Sequence, residues 1–144
     1  MKTYDPKKFP ITFAGIPCNK GVADGTFLVV SSVKPGFSSK ASVDGEVTRT
    51  RSHDRRAVAR LTLMQSSEVN ERLSKLYNND RNAVNGQGVG AFMVMDLNGT
   101  TLLECEKAYI ADDPDLNLGA EAETREWVIE LSTLSGIHGG AIDD

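Results

Sequence analysis

The chain has 144 residues, 40% hydrophobic and 25% charged, with a formal net charge of −4. That length suits one domain (1–144) able to bury about 70% of its unfolded surface, and no apolar run approaches the roughly 20 residues of a membrane span. MKTYDPKKFP lacks the apolar core of a signal peptide, and Cys18 and Cys105, far apart and without CxxC spacing, read as reduced thiols of a protein folded in a cytoplasm.

Residues 1–8 are polar and read as an N-terminal arm, mobile or docked on a partner. Phe9 to Ala14 alternates as a short strand with Phe9, Ile11 and Phe13 on one face, and Gly15 to Gly25 holds turns. Thr26 to Val33 is a strand ended by Lys34-Pro35-Gly36. Phe37 to Val43 alternates weakly before the turn dipeptide Asp44-Gly45. Glu46 to Ser52 alternates again with little apolar surface, so the two runs form an extended polar hairpin. Ser52-His53-Asp54 breaks it.

Ala57 to Met64 then places Ala57, Ala59, Leu61 and Leu63 on one face, as a buried strand does. Ser67 is in position to cap a helix over about Glu68-Asn79, with Val69, Leu73, Leu76 and Tyr77 as its apolar stripe. An Asn- and Gly-rich loop runs to Gly90. Ala91 to Leu97 and Thr100 to Ile110 are strands joined at Asn98-Gly99, a strong hairpin signal. After an acidic loop (Asp112 to Gly119), Thr124 to Leu134 is the last strand, with Trp127, Ile129 and Leu131 on its buried face; 136–144 reads as a flexible C-terminal tail. The sum is a mainly β chain, an antiparallel β-sandwich or barrel with one flanking helix.

Chemistry is scarce in this pattern. His53 and His138 have no ligand at metal spacing, and two ligands do not close a zinc site. Gly86, Gly88 and Gly90 follow a loop and precede a strand, the reverse of a phosphate loop. Asp112, Asp113 and Asp115 lack the glycine and terminal glutamate of an EF-hand. Ser31 and Ser32 lie in no GxSxG elbow, and Glu126 and Glu130 resemble carboxylates on a solvated strand face more than an acid–base pair. The expectation is a non-enzyme with no catalytic, cofactor-binding or metal residues.

Charge is more informative. Lys34 to Arg60 holds seven basic and three acidic residues, whereas Glu104 to Asp144 holds eleven acidic and two basic. A solvated basic loop accounts for the first cluster. Nucleic-acid binding is a second reading, weakened by the acidic chain and by the lack of aromatics near Arg49 to Arg56. The third is self-association, basic face onto acidic face, a head-to-tail contact that propagates into rings or filaments. A polar two-stranded ribbon is marginal alone and favours this one.

The order DGEVTRTRSHDR, LTLMQSSEVNERLSKLYNND, AFMVMDLNGTTL and TREWVIEL resembles the tail tube proteins of contractile-tailed bacteriophages, from Phe9 to about Gly136. The resemblance implies small β-barrels with a helix, six copies to a ring, and rings stacked into a tube through which DNA leaves the capsid. It implies a virion tail protein assembled in the host cytoplasm. Its partners would be itself, the sheath, the tape-measure, baseplate and tail-terminator proteins, and DNA that passes without specific binding. The Lys34 to Arg56 ribbon becomes the arm to the next ring, with Lys34, Lys40, Arg49, Arg51, Asp54, Arg55 and Arg56 as inter-ring contacts. Strand alternation puts Leu103, Cys105, Lys107 and Tyr109 inward and leaves Glu104, Glu106, Glu126 and Glu130 outward, as candidates to line the lumen. The inner tube of a bacteriocin or secretion apparatus, and a monomeric β-sandwich binding module, are the alternatives.

Overall fold

The computed structural model describes residues 1–143. Its elements are strands β1 (Ile11–Phe13), β2 (Ile16–Pro17), β3 (Leu28–Ser32), β4 (Phe37–Ala41), β5 (Val47–Arg51) and β6 (Ala57–Met64), helix α1 (Val69–Asn82), then β7 (Gly90–Met95), β8 (Leu102–Asp112), β9 (Thr124–Leu131) and β10 (Ser135–Ile137). Eight strands form one antiparallel sheet in the order β2-β1-β7-β8-β9-β6-β3, with β10 following β9 alongside β8. Among the described residues, β4 and β5 pair only with each other.

Alternation decides which face is buried. Ala57, Ala59 and Leu61 of β6 lie beside Leu131, Ile129 and Trp127 of β9, and all are buried. Ile11 and Phe13 pair with Val94 and Phe92 from the other half of the sheet. Both halves contribute to one core cluster, so the sheet curls and packs against itself like a sandwich. Each large apolar side chain buried there contributes about 1.5–3 kcal/mol.

The sheet is not closed into a barrel. Its path ends at β2 and β3, and among the described residues neither is paired on its outer side. β2 is only two residues long and ends in Pro17, which has no N–H to offer a further strand.

Helix α1 closes one flank through the expected stripe: Val69 and Leu73 are buried, and Leu76 and Tyr77 pack half-buried on the core. Its bounds and cap differ from expectation. The helix begins after Glu68, which makes no side-chain cap, and continues to Asn82. Ser67 instead forms a tight turn ahead of the helix. Its Oγ accepts from Val69 N at 3.3 Å and donates to the Lys20 carbonyl. Gly21 lies directly beneath, where a Cβ would come within 2.6 Å of the Ser67 Cβ. The hydroxyl is spent on tying the helix entrance to the β2–β3 loop.

The C-terminal residues expected to be loose are paired. Ser135, Gly136 and Ile137 lie opposite Glu104, Leu103 and Leu102. Thr100 N donates to Gly140 O at 3.0 Å, and Ile142 N to Asn98 O at 2.8 Å. Gly136 has φ 132°, and a Cβ there would come within 1.9 Å of the Leu102 carbonyl oxygen. The glycine that reads as looseness is what lets the backbone press onto β8. Asp144, the end of the expected tail, lies outside the described residues.

The N-terminal arm finds its partner in its own chain. Asp5 caps a single 3-10 turn (Pro6–Lys8), Leu97 N donates to Lys8 O at 2.9 Å, and the Met1 ammonium meets Asp143 at 2.7 Å.

Candidate assembly surface

The β4–β5 hairpin stands off the main sheet where β3 ends and β6 begins. All ten of its strand residues are exposed. Gly45, at φ 89°, closes a short loop in which Gly45 N bonds the Ser42 carbonyl, and the Ser42 hydroxyl bonds Asp44 and holds its carboxyl below the usual range. Register places Phe37 opposite Arg51, Ser39 opposite Arg49 and Ala41 opposite Val47. One face of the ribbon is therefore aromatic, aliphatic and cationic. The Arg49 guanidinium lies 4.4 Å from the Phe37 ring centroid and Arg51 lies at 5.8 Å. Lys40 shares the other face with Ser38, Thr48 and Thr50.

The root of the arm is stiffened by Asp54. Its carboxylate takes Arg56 Nε at 3.0 Å and Nη2 at 2.9 Å and the Arg56 backbone N at 3.1 Å, with Lys34 Nζ 3.9 Å away. These bonds, the Arg56 side chain foremost, bring the Asp54 carboxyl down to about 2. Ser52 N to Gly36 O and Val33 N to Arg56 O close the base on the backbone side. Of the seven residues read as arm contacts, Lys34, Asp54 and Arg56 are thus engaged within the chain. Lys40, Arg49, Arg51 and Arg55 make no ion pair among the described residues. Beside them a groove of about 510 Å³ is lined by Lys34, Phe37, Arg51, His53 and Arg55.

Glu104, Glu106 and Glu126 are exposed and Glu130 is half-buried, all on the side of the sheet away from the core. The alternation assumed along β8 fails midway. The register shifts across Cys105 to Ala108, where Glu106 and Lys107 are both exposed in succession. Ala108 and Ile110 consequently turn into the core, while Lys107 and Tyr109, expected inward, are exposed. The four glutamates also differ in company. Glu126 pairs with Arg60 at 3.3 Å, and Glu130 accepts from the Tyr109 hydroxyl, which raises the Tyr109 pKa. Glu104 and Glu106 have no ion pair among the described residues and border a cavity of about 610 Å³ with Thr12, Met93, Lys107 and Ser135.

The exposed apolar residues, Val47 apart, escaped the sequence reading. Val43 and Val47 stand on the arm, and Leu116 and Leu118 on the loop between β8 and β9. Counting cross-strand positions outward from Asp44-Gly45 would have placed Phe37, Ala41 and Val47 on one face. The pattern was obscured by the serines and threonines between them. Among the described residues, no three His, Cys, Asp or Glu side chains form a group able to hold a metal.

No family model matches the chain. Structural protein ORF10 of Pseudomonas phage KPP10 is 29% identical to it over 120 residues, covering 83% of this chain and 69% of that protein. The chain is a relative of a phage structural protein. Among solved structures, the anti-feeding prophage tube-terminating cap superposes with a TM-score of 0.59 at 8% identity over 99% of this chain and 93% of the other. The sheath/tube terminator of an extracellular contractile injection system in its extended state gives 0.60 at 9% identity, over 95% and 98%. The sheath-tube complex of such a system gives 0.58 at 7% identity, over 97% and 93%. At such identities the likeness is one of fold, and it spans almost the whole chain.

Proposed function

We propose that this protein is a structural subunit of a contractile tail or contractile injection system, and that it builds the inner tube. The observation that carries this reading is the β4–β5 arm. Its residues are exposed on both faces, four unneutralised cations cluster on it and its root, and a clamp at Asp54 holds it out. A two-stranded ribbon gains little stability alone, so its surface is matched to something outside the chain. The kinship with a phage structural protein, and a fold also found in contractile injection assemblies, support that partner being another copy.

Six copies close a ring, the open edges at β2 and β3 serve ring contacts, and rings stack through the arms. The sheath lies outside and the tape measure, then DNA, inside. Glu104 and Glu106, unneutralised, face the lumen, where repeated carboxylates repel phosphate. Electron microscopy of negatively stained protein over a concentration series tests this reading: tubes with a six-fold repeat are expected. A mass that stays monomeric at high concentration, in low and moderate salt, rejects it.

A second reading is a tube-terminating subunit, favoured because two of the similar structures are a tube-terminating cap and a sheath/tube terminator. Single rings that never elongate would mark that role.

A further inference from the structure

The arm and the acidic loop leave the sheet at opposite ends. β6 and β9 pair over their full length, with Ala57 opposite Leu131 and Met64 opposite Thr124. The arm joins β6 at its Ala57 end, where Val33 N bonds Arg56 O and Leu134 N bonds Arg55 O. The loop 113–123 leaves β8 after Asp112, which pairs with Val128 opposite Arg60, and joins β9 at its Thr124 end, where Gln65 N holds the Glu123 carbonyl at 3.0 Å. Measured along β6 at the usual strand rise, the loop begins about 10 Å and ends about 24 Å from Ala57, on the side away from the arm. Each arm strand has five residues, about 17 Å, and is joined to the sheet at the Ala57 end, whereas the loop runs on toward the Met64 end.

The two surfaces match in kind. The arm offers Phe37, Val43 and Val47 beside Arg49 and Arg51. The loop offers Leu116, 68% exposed, and Leu118, 76% exposed, between Asp113 and Asp115 on one side and Glu121 on the other. None of these acids has an ion-pair partner among the described residues. Apolar side chains held in water, flanked by charge of one sign here and the opposite sign there, are what a contact interface looks like before it forms.

We propose that the arm of one copy docks on the 113–123 loop of a second copy, with Val47 and Phe37 against Leu116 and Leu118 and with Arg49 and Arg51 against Asp113 and Asp115. Donor and acceptor are different surfaces at opposite ends of one sheet. The contact is therefore head-to-tail, and each addition leaves a free arm at one end and a free loop at the other. Repetition stacks copies along the β6 direction and gives the stack polarity. The proposal names the acceptor surface for the arm and rests on the self-assembly reading above.

The test mixes two single-cysteine variants, Val47→Cys and Leu116→Cys, under a mild copper oxidant. Cys18 and Cys105 are buried, and burial pushes the Cys18 thiol up to about 11, so the native thiols give little background. The mixture is expected to give a disulfide-linked dimer on a non-reducing gel. A single chain carrying both changes is expected to give a ladder, and Val47→Cys mixed with Val84→Cys, on the exposed loop after α1, no dimer. A second arm reverses charge: Asp113→Arg with Asp115→Arg stops assembly, and combining it with Arg49→Glu and Arg51→Glu restores it. Tubes that form with no 47–116 cross-link and with indifference to loop reversal overturn this contact and leave the tube reading standing. Absence of any assembly by the unaltered protein overturns both.

Discussion

The indole Nε1 of Trp127 donates a 2.9 Å hydrogen bond to Oδ1 of Asn70, and both side chains are buried. The Asn70 amide completes the junction by donating to the carbonyls of Met64 at 3.0 Å and Ser67 at 3.1 Å. One side chain thus ties α1 to β9 and to the end of β6. Asn70→Ala strands the indole N–H in the core and is expected to destabilise the fold by about 1–3 kcal/mol. Urea unfolding of the monomeric protein checks this, as a lower midpoint at unchanged slope. Adding Trp127→Phe should recover part of the loss, because it removes the orphaned donor.

The arm tests the stacking role without touching the core. Arg49→Glu with Arg51→Glu should leave stability within about 0.5 kcal/mol, because both positions are exposed. Tube formation should fail at concentrations where the unaltered chain assembles, since like charges brought together at a contact cost on the order of several kcal/mol. Long tubes from the double variant would remove the arm from the stacking contact.

Asp54 gives a pH signature. Its pKa is lowered, so the clamp contributes stability above the unfolded carboxylate value of about 3.9 and loses it as pH falls through the folded value. The window runs from there down to about 2. Carbon-detected NMR should show Asp54 titrating near the bottom of that range, and near the ordinary carboxylate value in Arg56→Ala. The arm root should stay closed at pH 4.

Glu104→Lys with Glu106→Lys tests the lumen. Both side chains are exposed and form no ion pair among the described residues, so folding and assembly should survive. Tubes carrying these lysines should retain short duplex DNA in a sedimentation assay, more strongly at low salt, because phosphate binding by lysine releases counterions. Capture of closed circular DNA, which has no end to enter a tube, would place these residues on the outer wall.

Cys18 supplies a reactivity check. Burial raises its pKa to about 11, so the native thiol is protonated at neutral pH and hidden from reagents. Native protein should react with Ellman's reagent far more slowly than urea-unfolded protein. Stability should fall as pH rises above about 9, where only the unfolded thiol ionises.

Much of the fold is written locally. The alternation of Ala57 to Leu63 and of Trp127 to Leu131 sets their buried faces, because side chains along an unbroken strand must alternate. The turn at Asp44-Gly45 and the stripe on α1 follow from backbone and side-chain preferences of a few neighbouring residues, whereas the connection expected as a tight turn at Asn98-Gly99 runs over 96–101 and is bridged at Gly99 to Ala141. The separation of basic and acidic halves is likewise plain in the residue order. Other features are set by partners distant in the chain. The bulge at Glu106 and Lys107 adds a residue without a local mark, and it reverses the faces that follow up to Ile110, turning Ala108 inward and Tyr109 outward. Ser67, whose hydroxyl oxygen accepts from Val69 N, also donates to the Lys20 carbonyl 47 residues away, and the C-terminal glycines become ordered only because β8 offers a backbone to lie on. The placement of the arm and the acidic loop at opposite ends belongs to this second kind. It depends on the pairing of β6 with β9, and no stretch of sequence contains both.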